Sequence, residues 1–204
     1  MEKGKYMCKI GAIILAAGQS VRMGKPKLLL PYLNRPLIHY PVSLAVEMDF
    51  TRIIVVGGEH IQQLQSELSE FSNRITIIHN SEYEKGMSFS LKAGITAIEN
   101  ELDSVLIFLG DQPYASKDVV QKLIREFKQS RNSKIVRPRY GMQPGHPILF
   151  DKSLFSKFHA LCGDEGGKSI IKAKEEKLLY VDFENTKLNL DIDTPQDYEL
   201  LIKS

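Results

Sequence analysis

IGAIILAAGQSVRMGKPK, running from Ile10 to Lys27, is the stretch on which the reading of the whole chain turns. Its first part, Ile10 to Leu15, is a short, nearly continuous apolar run, the pattern of a strand covered on both faces. The chain then changes character. Leu15 to Lys27 holds Gly18, Gly24, Ser20 and the cations Arg22, Lys25 and Lys27, without an acid. Glycines let the backbone approach a ligand and present successive N–H groups, while the cations neutralise phosphate oxygens, arginine with a two-pronged grip and lysine as a point charge. The segment is therefore a candidate phosphate cradle, although a strand-to-helix loop with solvated charges has the same composition. It is not a Walker loop, because Gly18 and Gly24 stand one residue too far apart and Pro26 occupies the place of the magnesium-binding Ser or Thr. Nor is it a GxGxxG dinucleotide fingerprint.

The strand-then-loop unit opens a rhythm. Arg52 to Val56, Ile75 to Ile78, Ser104 to Leu109 and Lys134 to Pro138 read as further strands, most of them nearly continuous in Ile, Val and Leu. Between them, Pro36 to Met48, His60 to Phe71, Ser88 to Glu99 and Lys117 to Gln129 carry apolar residues at helical spacing, as Leu123, Ile124 and Phe127 show. The alternation predicts an α/β fold of three layers: a mainly parallel, twisted sheet with helices on both faces, joined by right-handed crossovers. Ligands of such sheets collect at the carboxyl ends of the strands. Beyond residue 138 the pattern turns irregular, with a short strand near Leu178 to Phe183. No Ser/Gly- or Pro-rich linker intervenes, so residues 1–204 are expected to form a single domain, 131–204 elaborating the part built by 8–130. Thr194, Pro195 and Asp197 announce a last helix as N-cap, first-turn proline and acid near the third helical position.

Composition narrows the partners. Of 204 residues, 43% are hydrophobic and 25% charged, enough to fill a core and far too apolar for a disordered chain. Lys and Arg number 27 against 25 Asp and Glu, leaving +2, so no bulk field exists to hold a nucleic acid by counterion release. An anionic ligand must be met by locally placed charge. The longest apolar runs, Ile10 to Ala17 and Val105 to Leu109, fall far short of the roughly 20 residues of a membrane-spanning helix. Neither nucleic acid nor membrane is an expected partner. The opening MEKGKYMCKIGAIILAAG is basic and then apolar like a secretory leader, yet no turn-bounded cleavage site precedes the Gly-rich segment. Cys8 and Cys162 cannot make a disulfide framework, and neither belongs to a CxxC or Cys/His cluster. A reducing cytoplasm is the expected compartment.

Acids appear where a nucleotide site would want them. Gly110-Asp111-Gln112-Pro113 closes the strongest strand, SVLIFL, and sets a carboxylate at the ligand edge of the sheet. A hard oxygen donor there suits Mg²⁺, which takes carboxylates together with substrate phosphates. Asp before a Pro-containing turn is also ordinary loop chemistry. Asp191 and Asp193, in LDIDTP, lie two apart, which in extended chain turns both carboxylates to one side. Thr194 can already serve as the helix cap, which leaves both acids without that job, and either can complete a metal site opposite Asp111, with Asp193 preferred. Gly86-Met87-Ser88, with Asn80 upstream, follows the third strand: Gly86 can admit a base edge, and Ser88 can cap the next helix or hydrogen-bond a pyrimidine. Among the histidines only His146 lies in a Gly/Pro-rich loop, while His39, His60, His79 and His159 read as packing or surface residues. Arg137 and Arg139 fit a basic pocket and solvated strand-end charges equally well.

Leu-Ala-Ala-Gly-x-Ser-x-Arg-Met-Gly-x-x-Lys at Leu15 to Lys27 resembles the signature loop of nucleotidyltransferases with the Rossmann-like GT-A type fold. Within them it most resembles the molybdenum cofactor cytidylyltransferases, and GDQP, LDIDTP and the Gly-His-Pro stretch follow in family order. The resemblance implies that Leu15, Ala16, Ala17, Gly18 and Ser20 surround the nucleoside triphosphate. Arg22 and Lys27 then serve its phosphates, and Asp111 holds the metal with the acidic pair Asp191 and Asp193. Asn80, Gly86, Met87 and Ser88 face the base; LAAG and GMSFS point to cytidine, where guanylyl-transferring relatives carry LAGG and a Pro-rich counterpart. Gly145, His146 and Pro147 line the acceptor side, as do Asp164, Gly166 and Lys168 of a GDxGxR-like stretch. Lys168 replaces the family arginine and keeps its charge without its planar grip. Residues 8–130 would then bind nucleotide and 131–204 the acceptor. The implied reaction uses Mg²⁺ to transfer CMP from CTP to molybdenum-molybdopterin, releasing pyrophosphate and supplying a xanthine-dehydrogenase-type client or its chaperone. The residues leave open GTP with the same pterin, CTP with another phosphorylated acceptor, and a non-catalytic protein that delivers cofactor.

Overall fold

The structure is a computed structural model that describes residues 8–203; residues 1–7, on which the leader-like reading rests, lie outside the described residues. In chain order the elements begin with β1 (Ile10–Ala16), the short ribbon strands β2 (Pro31–Tyr32) and β3 (Arg35–Pro36), α1 (His39–Glu47) and β4 (Ile53–Gly57). They continue with α2 (Ile61–Glu67), β5 (Thr76–His79), α3 (Met87–Thr96), β6 (Ser104–Leu109) and α4 (Lys117–Gln129). The second part adds β7 (Ile135–Tyr140), β8 (Gln143–Pro144), β9 (Ile148–Asp151), α5 (Phe155–Phe158), α6 (Lys168–Ala173), β10 (Leu178–Phe183) and α7 (Pro195–Lys203).

The strands form one sheet in the order β10-β7-β9-β6-β1-β4-β5, with β8 paired to β7 and the β2–β3 ribbon apart. β6, β1, β4 and β5 run parallel, as do β7 and β10. The fold is the expected α/β one, a mostly parallel sheet with helices on both faces. Strand alternation sends β1 side chains to two cores. Ala12, Ile14 and Ala16 pack with Val42 of α1 and Val119, Val120 and Leu123 of α4, while Ile13 packs with Leu91 and Ile95 of α3 and Phe155 and Phe158 of α5. Gly94 lets α3 lie directly on the sheet, because a Cβ there would stand 2.9 Å from Ile13.

The differences from expectation have physical causes. α1 begins at His39, not Pro36, because Arg35 and Pro36 pair with Tyr32 and Pro31 in the ribbon. α2 ends at Glu67 and passes into a 3-10 turn at Ser69–Phe71. β5 is an edge strand with exposed residues, not a strand covered on both faces. The largest departure is β9, which inserts antiparallel between β6 and β7 and buries Ile148, Leu149 and Phe150. A run of three apolar residues, Ile148 to Phe150, leaves no period by which to recognise it.

Candidate active site

The loop after β1 is shaped by its own backbone and pinned by one side chain. Ser20 takes a left-handed φ of +54°, its carbonyl accepts from the amides of Met23 (3.0 Å) and Gly24 (3.1 Å), and its Oγ accepts from Lys27 N–H at 3.2 Å. Met23 is buried with Leu37, Ile192 and Leu201. The turn on Ser20 and the anchored Met23 aim Arg22 and Lys27 at the acidic segments.

Lys27 is the hub. Its ammonium donates to the Asp111 carboxylate and to Asp193 Oδ1 at 2.7 Å, and Arg22 Nη2 donates to Asp193 Oδ2 at 2.7 Å. Lys27 and Asp111 side chains are only 11% and 15% exposed, against 69% for Arg22, so the first pair belongs to the interior and Arg22 to the mouth. Burial pulls the Lys27 ammonium down, but the charges and hydrogen bonds of Asp111 and Asp193 override it and hold it above its ordinary value. Desolvation likewise works against the Asp193 carboxylate, and Lys27 and Arg22 outweigh it, keeping that carboxyl below its usual range.

The acidic segments are joined through their backbones. Ile192 N–H, on a fully buried residue, donates to Asp111 O at 3.2 Å, and Asp197, in the first turn of α7, accepts from Asp193 N–H at 3.2 Å. Asp191 faces the same side as expected but is engaged by the buried Gln112 amide at 2.7 Å. Loss of water around its carboxyl, then the charge of Asp111, pushes it up to about 6. Among the described residues no cluster of His, Cys, Asp or Glu is arranged to ligate a metal, because the Lys27 ammonium stands between Asp111 and Asp193. Asp111 Oδ1 is nevertheless buried without a partner, beside further hard oxygens. That donor set fits a divalent cation of the Mg²⁺ or Mn²⁺ kind.

The carboxyl ends of β1 and β6 open into a cavity of about 580 Å³, a size that suits a small-molecule ligand. Leu15, Ala17, Gly18, Arg22 and Lys27 line it with Asp111, Asp191 and Asp193. Gly86 and Met87 form a second wall, and His146, Asp164, Gly166 and Lys168 a third. Several expected residues stay outside it. Ala16 points into the core on the α1 face, and Ser20 supports the loop. Asn80 is buried, its Nδ2 donating to Ser90 Oγ and its Oδ1 accepting from Glu82 N–H, both at 3.0 Å. Ser88 does not cap α3: the helix starts one residue earlier, so Ser88 lies fully buried in the first turn with its Oγ unpartnered. Gly145 and Pro147 are buried behind the cavity, and the Gly145 carbonyl accepts from Arg137 Nε at 3.1 Å.

His146 itself reaches the cavity, and burial first, then Arg137 and Lys168, lowers its pKa to about 3. Of the two strand arginines, Arg137 lines the cavity, while Arg139 holds Asp182 with two bonds of 2.6 and 3.0 Å at the surface. Tyr83, Ser90 and Glu165 also line it: Tyr83 stands in no motif, whereas Ser90 closes GMSFS and Glu165 fills a variable position of the GDxGxR-like stretch, and Gln112, which holds Asp191, had a signal as the residue after Asp111 in GDQP.

A parallel sheet whose central strands end at convergent cations and carboxylates around one cavity defines a nucleotidyltransferase of the α/β class. Residues 12–178 match the MobA-like NTP transferase domain, and the chain belongs to that family. The molybdenum cofactor cytidylyltransferase of Escherichia coli K12 is 32% identical over 94% of this chain and 95% of its own. A protein of Paenarthrobacter nicotinovorans named nicotine blue oxidoreductase is 28% identical over 94% of this chain and 96% of its own. The manganese complex of Rv0371c from Mycobacterium tuberculosis H37Rv superposes with a TM-score of 0.80 at 22% identity, covering 96% of this chain and 99% of that one. The described residues contain no helix long and apolar enough to cross a membrane.

Proposed function

We propose that this nucleotidyltransferase transfers CMP from CTP to molybdenum-molybdopterin, releasing pyrophosphate, and so supplies a xanthine-dehydrogenase-type enzyme. The observation that carries the reading is the Lys27 ammonium held by both Asp111 and Asp193, with Arg22 beside it at the cavity mouth. The relation to a cytidylyltransferase across nearly the whole chain supports the choice of nucleotide and acceptor.

The chemistry follows from charge. A terminal phosphate oxygen of the acceptor attacks the α-phosphorus of CTP, and the bond to the β-phosphate breaks in line. The nucleophile is already ionised, so positioning and charge neutralisation are the enzyme's task. Arg22, Lys27 and the Gly18 backbone hold the β- and γ-phosphates that leave. Asp111 and Asp193, with Asp191 near them, would hold Mg²⁺, which would supply positive charge to neutralise the anionic phosphates. Gly86, Met87 and Ser90 border the base. Neutral His146, Gly166 and the cations Arg137 and Lys168 border the acceptor, so that residues 8–130 serve the nucleotide and 131–204 the acceptor within one domain.

Pyrophosphate release measured with each nucleoside triphosphate in turn tests this. Release is expected from CTP only, requires both Mg²⁺ and molybdopterin, and is lost in Asp111→Asn while the far-UV spectrum is kept. Equal release from GTP, release without molybdopterin, or near-normal turnover of Asp111→Asn would each defeat it.

A further inference from the structure

The wall of the cavity beside Met87 and the wall beside Gly166 are fastened to each other. α3 starts at Met87 with no cap of its own, because Gly86 in the cap position has no side chain to offer. Its leading amides are taken from across the cavity. Met87 N–H donates to Asp164 Oδ1 at 3.0 Å, and Ser88 N–H donates to Gly163 O at 3.0 Å. Gly86 sits at φ +109°, and a Cβ on it would stand 2.5 Å from the Gly163 carbonyl and 2.7 Å from Asp164 Oδ1. Met87 closes the contact from its own side, its Sδ lying 3.1 Å from where a Cβ of Gly166 would be.

We propose that Asp164 is a positioning residue for the nucleotide and not a ligand of the acceptor. It caps α3 in trans and thereby fixes Gly86 and Met87, the wall against which the base of CTP rests. A carboxylate on a helix-leading amide satisfies a donor that the helix itself cannot, and its charge suits the positive end of the helix. Without it Gly86, with the widest backbone freedom of any residue, loses its restraint, and CTP has to order the wall as it binds. The effect therefore falls on the KM for CTP. An acceptor ligand would move the KM for molybdopterin instead.

The inference rests on the cytidylyl-transfer reading above, and its test has an arm that does not. Initial rates of pyrophosphate release are measured for Asp164→Ala and Asp164→Asn over CTP and molybdopterin concentrations, together with hydrogen exchange at the Met87 and Ser88 amides of the nucleotide-free proteins. Asp164→Ala should raise the KM for CTP by about five- to tenfold, the factor that a lost helix cap implies, and speed Met87 exchange similarly, with kcat and the molybdopterin KM little changed. Asp164→Asn keeps an acceptor oxygen and caps as well as Asp, so both readouts should return toward wild type. Unchanged Met87 exchange in Asp164→Ala, a rise confined to the molybdopterin KM, or an Asn variant as impaired as the Ala one overturns the proposal. Should Asp164→Ala fail to fold, an altered CTP KM or faster exchange in Asp164→Asn overturns it alone. If wild type releases pyrophosphate from no nucleotide, cytidylyl transfer falls, while the exchange comparison still decides whether Asp164 holds this wall.

Discussion

At the scale of single residues, Lys27 balances a charge problem that the fold creates. Asp111 and Asp193 meet at its ammonium, and two carboxylates brought that close repel each other unless a cation lies between them. Some cation must stand between them. On the proposed reading a triphosphate competes for the same ammonium, and the carboxylates it releases become hard oxygen donors for Mg²⁺. His146 offers a titration free of that cluster. Its folded pKa is lowered to about 3 by burial, Arg137 and Lys168, while an unfolded histidine titrates near 6.5. Between those values the unfolded chain binds one proton more, so stability rises with pH there and is lost as pH falls from about 6.5 toward 3. Urea unfolding of wild type and His146→Asn across that window should show a shallower acid decline in the variant. Parallel declines would mean that His146 is not held neutral.

Among the elements, α7 shows how a helix terminus positions chemistry. Thr194 and Asp197 form a reciprocal cap: Thr194 N–H donates to Asp197 Oδ2 at 2.8 Å and Asp197 N–H to Thr194 Oγ1 at 3.2 Å. The same Asp197 oxygen accepts from Asp193 N–H, so the cap fixes the backbone of an acid that meets Lys27 and Arg22. Thr194→Ala should lower stability by about 1 kcal/mol, a melting shift of about 2–4 °C, and reduce turnover, while Thr194→Ser keeps both. Calorimetry beside pyrophosphate release checks this, and an unshifted Thr194→Ala would show that the cap is idle. This helix is legible in the sequence, because Thr, Pro and an acid at fixed offsets have a local physical meaning. α3 is not, since its cap comes from Asp164, far along the chain. Ser88 is the natural cap only of a helix that begins after it, and α3 begins one residue before it.

For the whole molecule, the same division holds. Apolar runs and helical spacing foretell the mostly parallel sheet and its ligand edge, and Lys27, Asp111 and Asp193 can be named because each stands beside the end of a readable element. β9 and the contact between Met87 and Asp164 are hidden, for they arise where irregular segments meet across the sheet and leave no period in the sequence, while Arg137 is visible as a candidate that only the cavity separates from Arg139. Topology does the assembling: β1 and β6 are neighbours, so the loops at their carboxyl ends share one cavity, and α7 brings the third segment to it. On the proposed reading, nucleotidyl transfer by this chain depends on that convergence around one triphosphate. A crystal structure with CTP and Mn²⁺, the metal located by anomalous scattering, tests it most directly. A metal peak bound by Asp111 and Asp193 is expected, with the triphosphate on Arg22 and Lys27 and the cytosine beside Met87. A triphosphate bound elsewhere, or a metal that leaves Asp111 in its pairing with Lys27, would contradict it.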